Sequence, residues 1–588
     1  MNKQSCDILH ALSCHRYTTQ RDLAAITGYS LGSINLSLKQ LIMQGYLTED
    51  FQLTTQATKL LLSGKPKNAI ILAAGFGMRM VPINTQYPKG LLQVKSEPLI
   101  ERLIRQLHQV NVRNIYVVVG FMKESYEYLI DQYGVELIVN PDYATSNNLH
   151  SLALAADHIG DSYILPCDLW CQDNPFSTAE LYPWYMVSNE TDQDSTVKCT
   201  RTGQLVKTTK SGQGNRMLGI SYIPTSHARQ IRQTLLQQDA RPENHDLFWE
   251  DALLLANVAL PEARVVSAGQ VIEINTYEQL RNLDSDSDHL QSDVIQTICQ
   301  SLKADPGDIT QITVLKKGMT NRSFLFTCRG KKYIMRVPGE GTDQLINRQE
   351  EAQVYQTIRN FGICDDIVHI DPVTGYKITA FLENARVCNP DDPEDLRLCM
   401  QKLRQFHNMK LQVSHSFPLF EHIDFYESLW NGASSVYTDY KTTKKNVFSL
   451  QDYINKHRLE PVLTHIDAVP DNFLFALDKQ GNQQIRLIDW EYAGLQDPHV
   501  DVAMFCIYAL YDRAQVDRLI DLYFTEGCDL CTRVKIYCYI AVCGLLWSNW
   551  CEYKRQLGVE FGEYSLRQYR YAKDYFRLAQ QIIKEEGL

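Results

Sequence analysis

The chain reads as three folded parts in series. A small, mostly helical N-terminal segment precedes a central α/β region with a mostly parallel sheet. A C-terminal α+β region then places a small β-rich lobe ahead of a long helical stretch. Three observations give this reading. Between residue 68 and about residue 283 apolar strands alternate with helical periodicity, the order that builds a parallel sheet. Beyond residue 309 three strands (312–315, 323–328 and 332–337) come in close succession, and after a fourth at 378–381 the sequence is largely helical. At 588 residues the chain also exceeds what one core supports.

Composition sets the outer limits. Hydrophobic residues at 44% and charged residues at 22% describe globular material rather than disorder. A net charge of −11 argues against a general binder of nucleic acid or anionic membrane, although a local basic patch survives such a balance. The 16 cysteines lack framework spacing and the N-terminus lacks a charged-then-apolar leader, so reduced thiols in a cytoplasm are expected. Cys528 and Cys531 form an isolated CxxC without a second pair, which reads as helix packing. The apolar run 536–547 is too short to span a bilayer, so no membrane span is expected.

In residues 1–65 helical spacing marks three helices, at 7–12, 19–27 and 30–44, with Gly28 as a breaker. Two short strands, 46–48 and 51–54, follow as a hairpin, and residues 63–67 read as a linker. The order resembles a winged helix-turn-helix domain, which implies DNA binding through the third helix. That helix offers Lys39 as its only cation and no arginine, so a docking or dimerisation role stands beside DNA binding.

The central region opens on an apolar strand that empties into Ala73, Ala74, Gly75, Phe76 and Gly77, with Arg79 just beyond and Lys89 between Pro88 and Gly90. Glycines at the end of a strand let backbone N–H groups approach a polyphosphate that a Cβ would block. Arg79 and Lys89 add positive charge to the same place. A strand at 163–166 delivers Asp168 at its carboxyl end, where ligands of such sheets sit. The string resembles the signature of sugar-phosphate and choline-phosphate nucleotidyltransferases, LxAAGxGxRMxP followed by PKxLL. The resemblance implies a Rossmann-like nucleotidyltransferase over residues 68–284. Ala73, Ala74, Gly75 and Gly77 would bind the nucleotide. Lys89 would contact the α-phosphate or acceptor phosphate, Arg79 the leaving pyrophosphate, and Asp168 Mg²⁺. It also implies a second metal ligand near the domain's end, for which Glu250, Asp251, Glu273 and Asn275 are candidates. Asn275 stands where the choline-phosphate branch more often has Asp. Asn148, with Asn147 and Ser151, would lie near the base.

An acidic, serine-interrupted run at 283–288 reads as the next boundary. Beyond it the chemistry concentrates in His465-Ile466-Asp467-Ala468-Val469-Pro470-Asp471-Asn472 and in Ile488-Asp489-Trp490-Glu491-Tyr492-Ala493. Phosphoryl transfer to a hydroxyl needs a carboxylate to take the proton and oxygen ligands for the metal–nucleotide, and these segments supply both. They resemble the HxDxxxxN and DWEYA motifs of choline and ethanolamine kinases, relatives of the aminoglycoside phosphotransferases. The resemblance implies a protein-kinase-like fold over residues 290–588, with Asp467 as base and Asn472 and Asp489 on Mg²⁺. Arg336 would replace the usual nucleotide-binding lysine, paired with Glu350 or Glu351, and Gly318 and Asn321 would mark the loop over the phosphates. Trp547 and Trp550 lie three apart on one helical face. With Tyr564, and Tyr571 as a further ring, they resemble the aromatic cage of choline kinases, where Glu491 would also face the substrate. Cation–π attraction supplies the physical reason.

Together these resemblances imply a bifunctional enzyme that phosphorylates choline with ATP and joins phosphocholine to CTP, with Mg²⁺ at both sites. Ethanolamine or a sugar phosphate in place of choline, and a DNA-binding regulator that senses choline metabolites, are the alternatives. Oligomeric state is not written in the chain.

Overall fold

The computed structural model describes every residue except 15–18, 78, 79, 81, 82, 84–86, 209–212, 257–259, 316–320, 340, 341, 343, 478–480, 482 and 560, and the side chains of Gln291, Asn321 and Arg322. The chain folds as two compact units, residues 1–297 and 298–588.

The first unit begins with helices α1 (Lys3–Cys14), α2 (Gln20–Thr27) and α3 (Leu31–Met43). Ile8, Leu9, Leu23, Ile34, Leu38 and Leu41 form their common core. The expected hairpin reduces to one antiparallel bridge, Leu47 to Leu53. A fourth helix, α4 (Thr55–Ser63), follows in a stretch to which the sequence reading assigns no element; Thr54 starts it by accepting from Ala57 N. The segment read as a linker is fixed in place. Glu180 N donates to Gly64 O at 2.8 Å, and a Cβ on Gly64 would meet Glu180 O at 2.7 Å. Helix α1 docks on the rest of the unit as well, with Lys3 Nζ donating to Ala263 O at 2.6 Å and Tyr182 donating to Asp7 at 2.6 Å.

A seven-stranded sheet forms the centre of this unit. Its strands are β1 (Asn68–Ala73), β2 (Asn114–Val119), β3 (Glu136–Val139), β4 (Ser162–Pro166), β6 (Trp184–Asp192), β7 (Gly214–Ile223) and β8 (Glu262–Val266). They lie in the order β8-β6-β7-β4-β1-β2-β3, parallel throughout except where β7 runs against both neighbours. Strand β5 (Leu169–Cys171) pairs separately with β9 (Val271–Glu273). Strand β1 reads as an unbroken apolar run because both faces are covered. Helix α5 (Leu99–Gln109) packs Leu103, Ile104 and Leu107 on the face of Ile71 and Val117. Helices α6 (Asn148–Leu154) and α7 (Trp249–Leu255) cover Ile70 and Leu72 on the other. The acidic run at 283–288 is hydrogen-bonded to this unit. Asp284 accepts from Lys95 N at 2.5 Å, and Ser287 donates to Gln93 O at 3.1 Å.

The second unit opens with a five-stranded antiparallel sheet in the order β10 (Ile309–Val314), β11 (Asn321–Cys328), β12 (Lys331–Pro338), β14 (Lys377–Ala380) and β13 (Ile367–Ile370). Helix α8 (Arg348–Ile358) lies between β12 and β13 in the chain. The helical part includes α9 (Pro393–Asn408), α10 (His499–Tyr508), the 27-residue α11 (Leu530–Gln556) and α12 (Glu563–Glu586), with the hairpin β15 (Phe473–Leu477) and β16 (Gln483–Leu487) among them. Among the described residues α11 alone is long and apolar enough to cross a membrane, but 78% of that stretch is buried within the fold. It is the unit's central core helix. Gly544 admits α12 so closely that a Cβ there would meet Gln568 O at 2.8 Å.

Candidate active sites

In the first unit the loop after β1 forms one wall of a cavity of about 490 Å³. Ala74, Gly75 and Gly77 line it, and Gly77 takes φ 62°, a left-handed conformation suited to glycine. Ala73 does not line it. As the last residue of β1 it points into the α5 side of the core, because side chains alternate along a strand. Lys89 sits in a single 3₁₀ turn behind Pro88 and sends its ammonium to the Asp168 carboxylate and, at 2.6 Å, to Asn275 Oδ1. Three residues from distant parts of the chain thus converge at the carboxyl ends of β1 and β4. The remaining carboxylate oxygen of Asp168 is buried without a hydrogen-bond partner, an acceptor with capacity for a cation.

The candidates for a second metal ligand separate cleanly. Asp251 accepts from Phe248 N at 2.9 Å and caps its own helix. Glu250 accepts from Tyr185 at 3.0 Å, and burial pushes its carboxyl up to about 7. Glu273 and Asn275 line the cavity, and both also border an adjoining cavity of about 850 Å³ that carries Glu190 and Asp192. Asn148 lines the first cavity while its Oδ1 accepts from Trp249 N at 2.8 Å, which joins α6 to α7. Arg79 lies outside the described residues.

In the second unit Asp467 and Asn472 face one another, Asn472 Nδ2 donating to Asp467 Oδ2 at 3.1 Å and to its carbonyl at 2.9 Å. Burial, then the neighbouring carboxylates of Asp489 and Glu491, hold the Asp467 carboxyl well above the usual carboxylate range. Two non-glycine residues here adopt left-handed backbone, Ile466 at φ 65° and Asp489 at φ 66°. Such strain at a β-branched residue persists only where the surroundings hold it, at about 1–3 kcal/mol. Asp501 on α10 supplies the hold, accepting from Ile466 N at 2.7 Å and from His465 N and His407 Nε2 at 2.9 Å each.

Arg336 on β12 forms a two-pronged ion pair with Glu351 of α8, at 2.5 and 2.8 Å, and lies 3.9 Å from Asp489 and 3.8 Å from Glu491. Of the two glutamates weighed as partner, Glu351 takes the role. Arg348, absent from the sequence reading, bridges Glu351 at 3.1 Å and Glu491 at 3.3 Å. Glu491 therefore sits inside this ionic network. Around the cleft the carboxylates of Glu351, Asp467, Asp489 and Glu491 stand with the guanidinium groups of Arg336 and Arg348. Gly318 and the side chain of Asn321 lie outside the described residues.

The aromatic residues gather beside Asp467. Trp547 meets Tyr492 edge-on at 5.7 Å, Trp550 lies 5.3 Å from Phe561, and Phe561 lies 6.5 Å from Tyr564. The negative field of Asp467 reaches both Tyr426 and Tyr564 and adds to burial in raising their phenols. Tyr571, weighed as a further ring, donates to Tyr511 O at 2.7 Å and belongs to the α11–α12 packing.

Two known families match two different parts of the chain. The family described as MobA-like NTP transferase domain matches residues 69–241, and the family described as choline/ethanolamine kinase matches residues 312–519. A choline-phosphate cytidylyltransferase of Streptococcus pneumoniae is 30% identical over 37% of this chain and 96% of its own length. A 2-aminoethylphosphonate cytidylyltransferase of Lancefieldella rimae is 31% identical over 37% of this chain and 92% of its own. Protein LicA of Haemophilus influenzae is 30% identical over 42% of this chain and 95% of its own. The chain thus belongs to two families at once, joining a MobA-like nucleotidyltransferase to a choline/ethanolamine kinase.

Proposed function

We propose that this chain is a bifunctional enzyme that phosphorylates choline with ATP and transfers CMP from CTP to the phosphocholine formed, releasing pyrophosphate. The observation that carries the reading is the presence in one chain of two clefts, each with its own set of converging polar side chains. One holds Lys89, Asp168 and Asn275 below a glycine loop; the other holds Asp467, Asn472 and Asp489 beside an aromatic cluster. In the domain division we adopt, the nucleotidyltransferase occupies residues 68–284 and the kinase 290–588.

In the kinase the choline hydroxyl attacks the γ-phosphorus of ATP, its proton passes to Asp467, and ADP leaves. Trp547, Trp550 and Tyr564 hold the quaternary ammonium through cation–π attraction, about 0.5–2 kcal/mol per contact. Arg336, fixed by Glu351, faces the nucleotide phosphates. In the nucleotidyltransferase a phosphocholine oxygen attacks the α-phosphorus of CTP. Lys89 then stabilises charge developing on that phosphate, while Gly75 and Gly77 present backbone N–H groups to the polyphosphate. Asp168 with Asn275, and Asn472 with Asp489, would hold Mg²⁺, which neutralises phosphate charge and orients the leaving group. Glu273, Glu190 and Asp192 in the adjoining cavity suit the acceptor's cationic end.

Residues 1–65 we read as a winged-helix unit used for docking. Its third helix has Lys39 as its one cation, and Leu36 and Met43 are 61% and 87% exposed. A salt-dependent shift of random-sequence duplex DNA would replace that reading by DNA binding.

The test of the enzyme is purified chain with choline, ATP, CTP and Mg²⁺, read by mass spectrometry. CDP-choline is expected. Its absence, or faster turnover of ethanolamine or of 2-aminoethylphosphonate with CTP, overturns the choline assignment.

A further inference from the structure

The cavity of the first unit is not uniform along its wall. Lys89, Asp168, Glu273 and Asn275 give one stretch its charge and its metal-binding oxygens, beside the glycine loop, and phosphates belong there. A second stretch is built from residues 143–148 and Phe248, and Asp246 is its one charged side chain. A flat, uncharged nucleobase suits that stretch, and Phe248, 53% exposed, offers it a ring. Two loops are tied into one piece here. Asn147 N donates to His245 O at 2.7 Å, and Asn147 Nδ2 donates to Asp246 O at 3.1 Å.

Asn148 stands out in this stretch because its amide can face only one way. A side-chain amide has an acceptor end and a donor end, and turning it over exchanges them. Trp249 N is a donor and nothing else, so the Asn148 atom 2.8 Å from it is the oxygen. Turned over, the amide would set its NH2 group against that N–H and leave both unpaired. The group Asn148 has left for a ligand in the cavity is therefore an N–H donor. Cytosine and uracil differ on the edge that such a donor reads. N3 of cytosine is a bare acceptor beside the O2 acceptor, whereas N3 of uracil carries a hydrogen. The donor meets an acceptor in cytosine and another donor in uracil, where both N–H groups stay unpaired.

We propose that Asn148, its amide fixed by Trp249 N, selects CTP over UTP by donating from Nδ2 to N3 of cytosine. The ligand's identity rests on the reading of this site as a cytidylyltransferase, and the experiment separates the two. Purified full chain, wild type or variant, is given phosphocholine, Mg²⁺ and either CTP or UTP, and kcat/KM is measured for each nucleotide. Asn148→Asp keeps an oxygen for Trp249 N and puts an acceptor where the donor was, which suits the N3–H of uracil. The CTP/UTP ratio of kcat/KM is expected to fall at least tenfold, the scale of one mispaired polar group. The added carboxylate also repels the nucleotide's phosphates, but it does so alike for both nucleotides, so the ratio cancels it. Asn148→Ala, which removes donor and brace together, should lower the ratio as well. Phe248→Ala should raise KM for both nucleotides and leave the ratio unchanged. A wild-type ratio in both Asn148 variants, with both rates lowered alike, makes Asn148 a brace between α6 and α7 and overturns the proposal. Equilibrium dialysis of CTP and of UTP without acceptor reads the preference without turnover. An identical preference in wild type and Asn148→Asp overturns the proposal there too. A wild type that turns over UTP as readily as CTP, or turns over neither, overturns the cytidylyltransferase reading itself.

Discussion

Replacing Asp501 by asparagine tests how the kinase's catalytic loop is held. The carboxylate is fully buried and accepts three hydrogen bonds, two on Oδ2 and one on Oδ1. An amide turns one acceptor into a donor, so at least one buried N–H loses its partner at about 1–3 kcal/mol. The two surviving bonds lose their charge assistance, about 1 kcal/mol each. The sum, about 3–5 kcal/mol, exceeds the roughly 1–3 kcal/mol of strain stored at Ile466, so the loop is expected to relax. Displacement of a reacting group by about 1 Å lowers a rate about 10²-fold. Choline phosphorylation, followed by ADP release, should therefore fall about a hundredfold, while CDP-choline formation from supplied phosphocholine and CTP stays within twofold. Thermal unfolding should report a less stable second unit. A kinase rate within twofold of wild type in Asp501→Asn would refute the argument that these three bonds hold Asp467 in place.

Further outcomes follow from the same geometry. Lys89→Met should lower kcat for cytidylyl transfer by about 10²–10³ without changing choline phosphorylation; equal loss of both activities contradicts the assignment of Lys89 to one reaction. Trp547→Leu should raise KM for choline about 2- to 30-fold, the range of one cation–π contact, with KM for ATP unchanged. Glu250 offers a pH test with a definite sign. Its folded value of about 7 lies above the ordinary 4.5, so the folded chain keeps a proton that the unfolded chain releases. Stability is then lost as pH rises from about 4.5 to 7, by about 1–3 kcal/mol once partial exposure is allowed for. Glu250→Gln should raise Tm relative to wild type at pH 8 and not at pH 5, and an equal difference at both pH values would contradict the buried-carboxyl account.

Much of this was legible because the chemistry lies on local strings. A strand emptying into glycines, a lysine between Pro88 and Gly90, and the Asp467–Asn472 spacing each depend on neighbours in sequence, as do the apolar periods that mark β1, β4 and α11. What could not be read are pairings made across the fold. Arg348 and His407 lie 143 and 94 residues from Glu491 and Asp501, and no local pattern marks either as a partner. The choice among Glu250, Asp251, Glu273 and Asn275 needed the structure, because a carboxylate that caps a helix looks the same in sequence as one that lines a cleft. In the run 283–288 the acidic and serine residues suggest solvent, and the hydrogen bonds of Asp284 and Ser287 with the backbone of residues 93–95 were not legible for the same reason. Ala73 misled because a small residue beside glycines can equally well be the last core position of a strand.

The central claim, that two separate sites in one chain carry out successive steps, is tested most directly by Asp467→Ala. Purified Asp467→Ala chain is given choline, ATP, CTP and Mg²⁺ in one tube and phosphocholine, CTP and Mg²⁺ in another. The account predicts no CDP-choline in the first and a wild-type rate in the second. CDP-choline in the first tube, or loss of activity in both from a protein that remains folded, would contradict it.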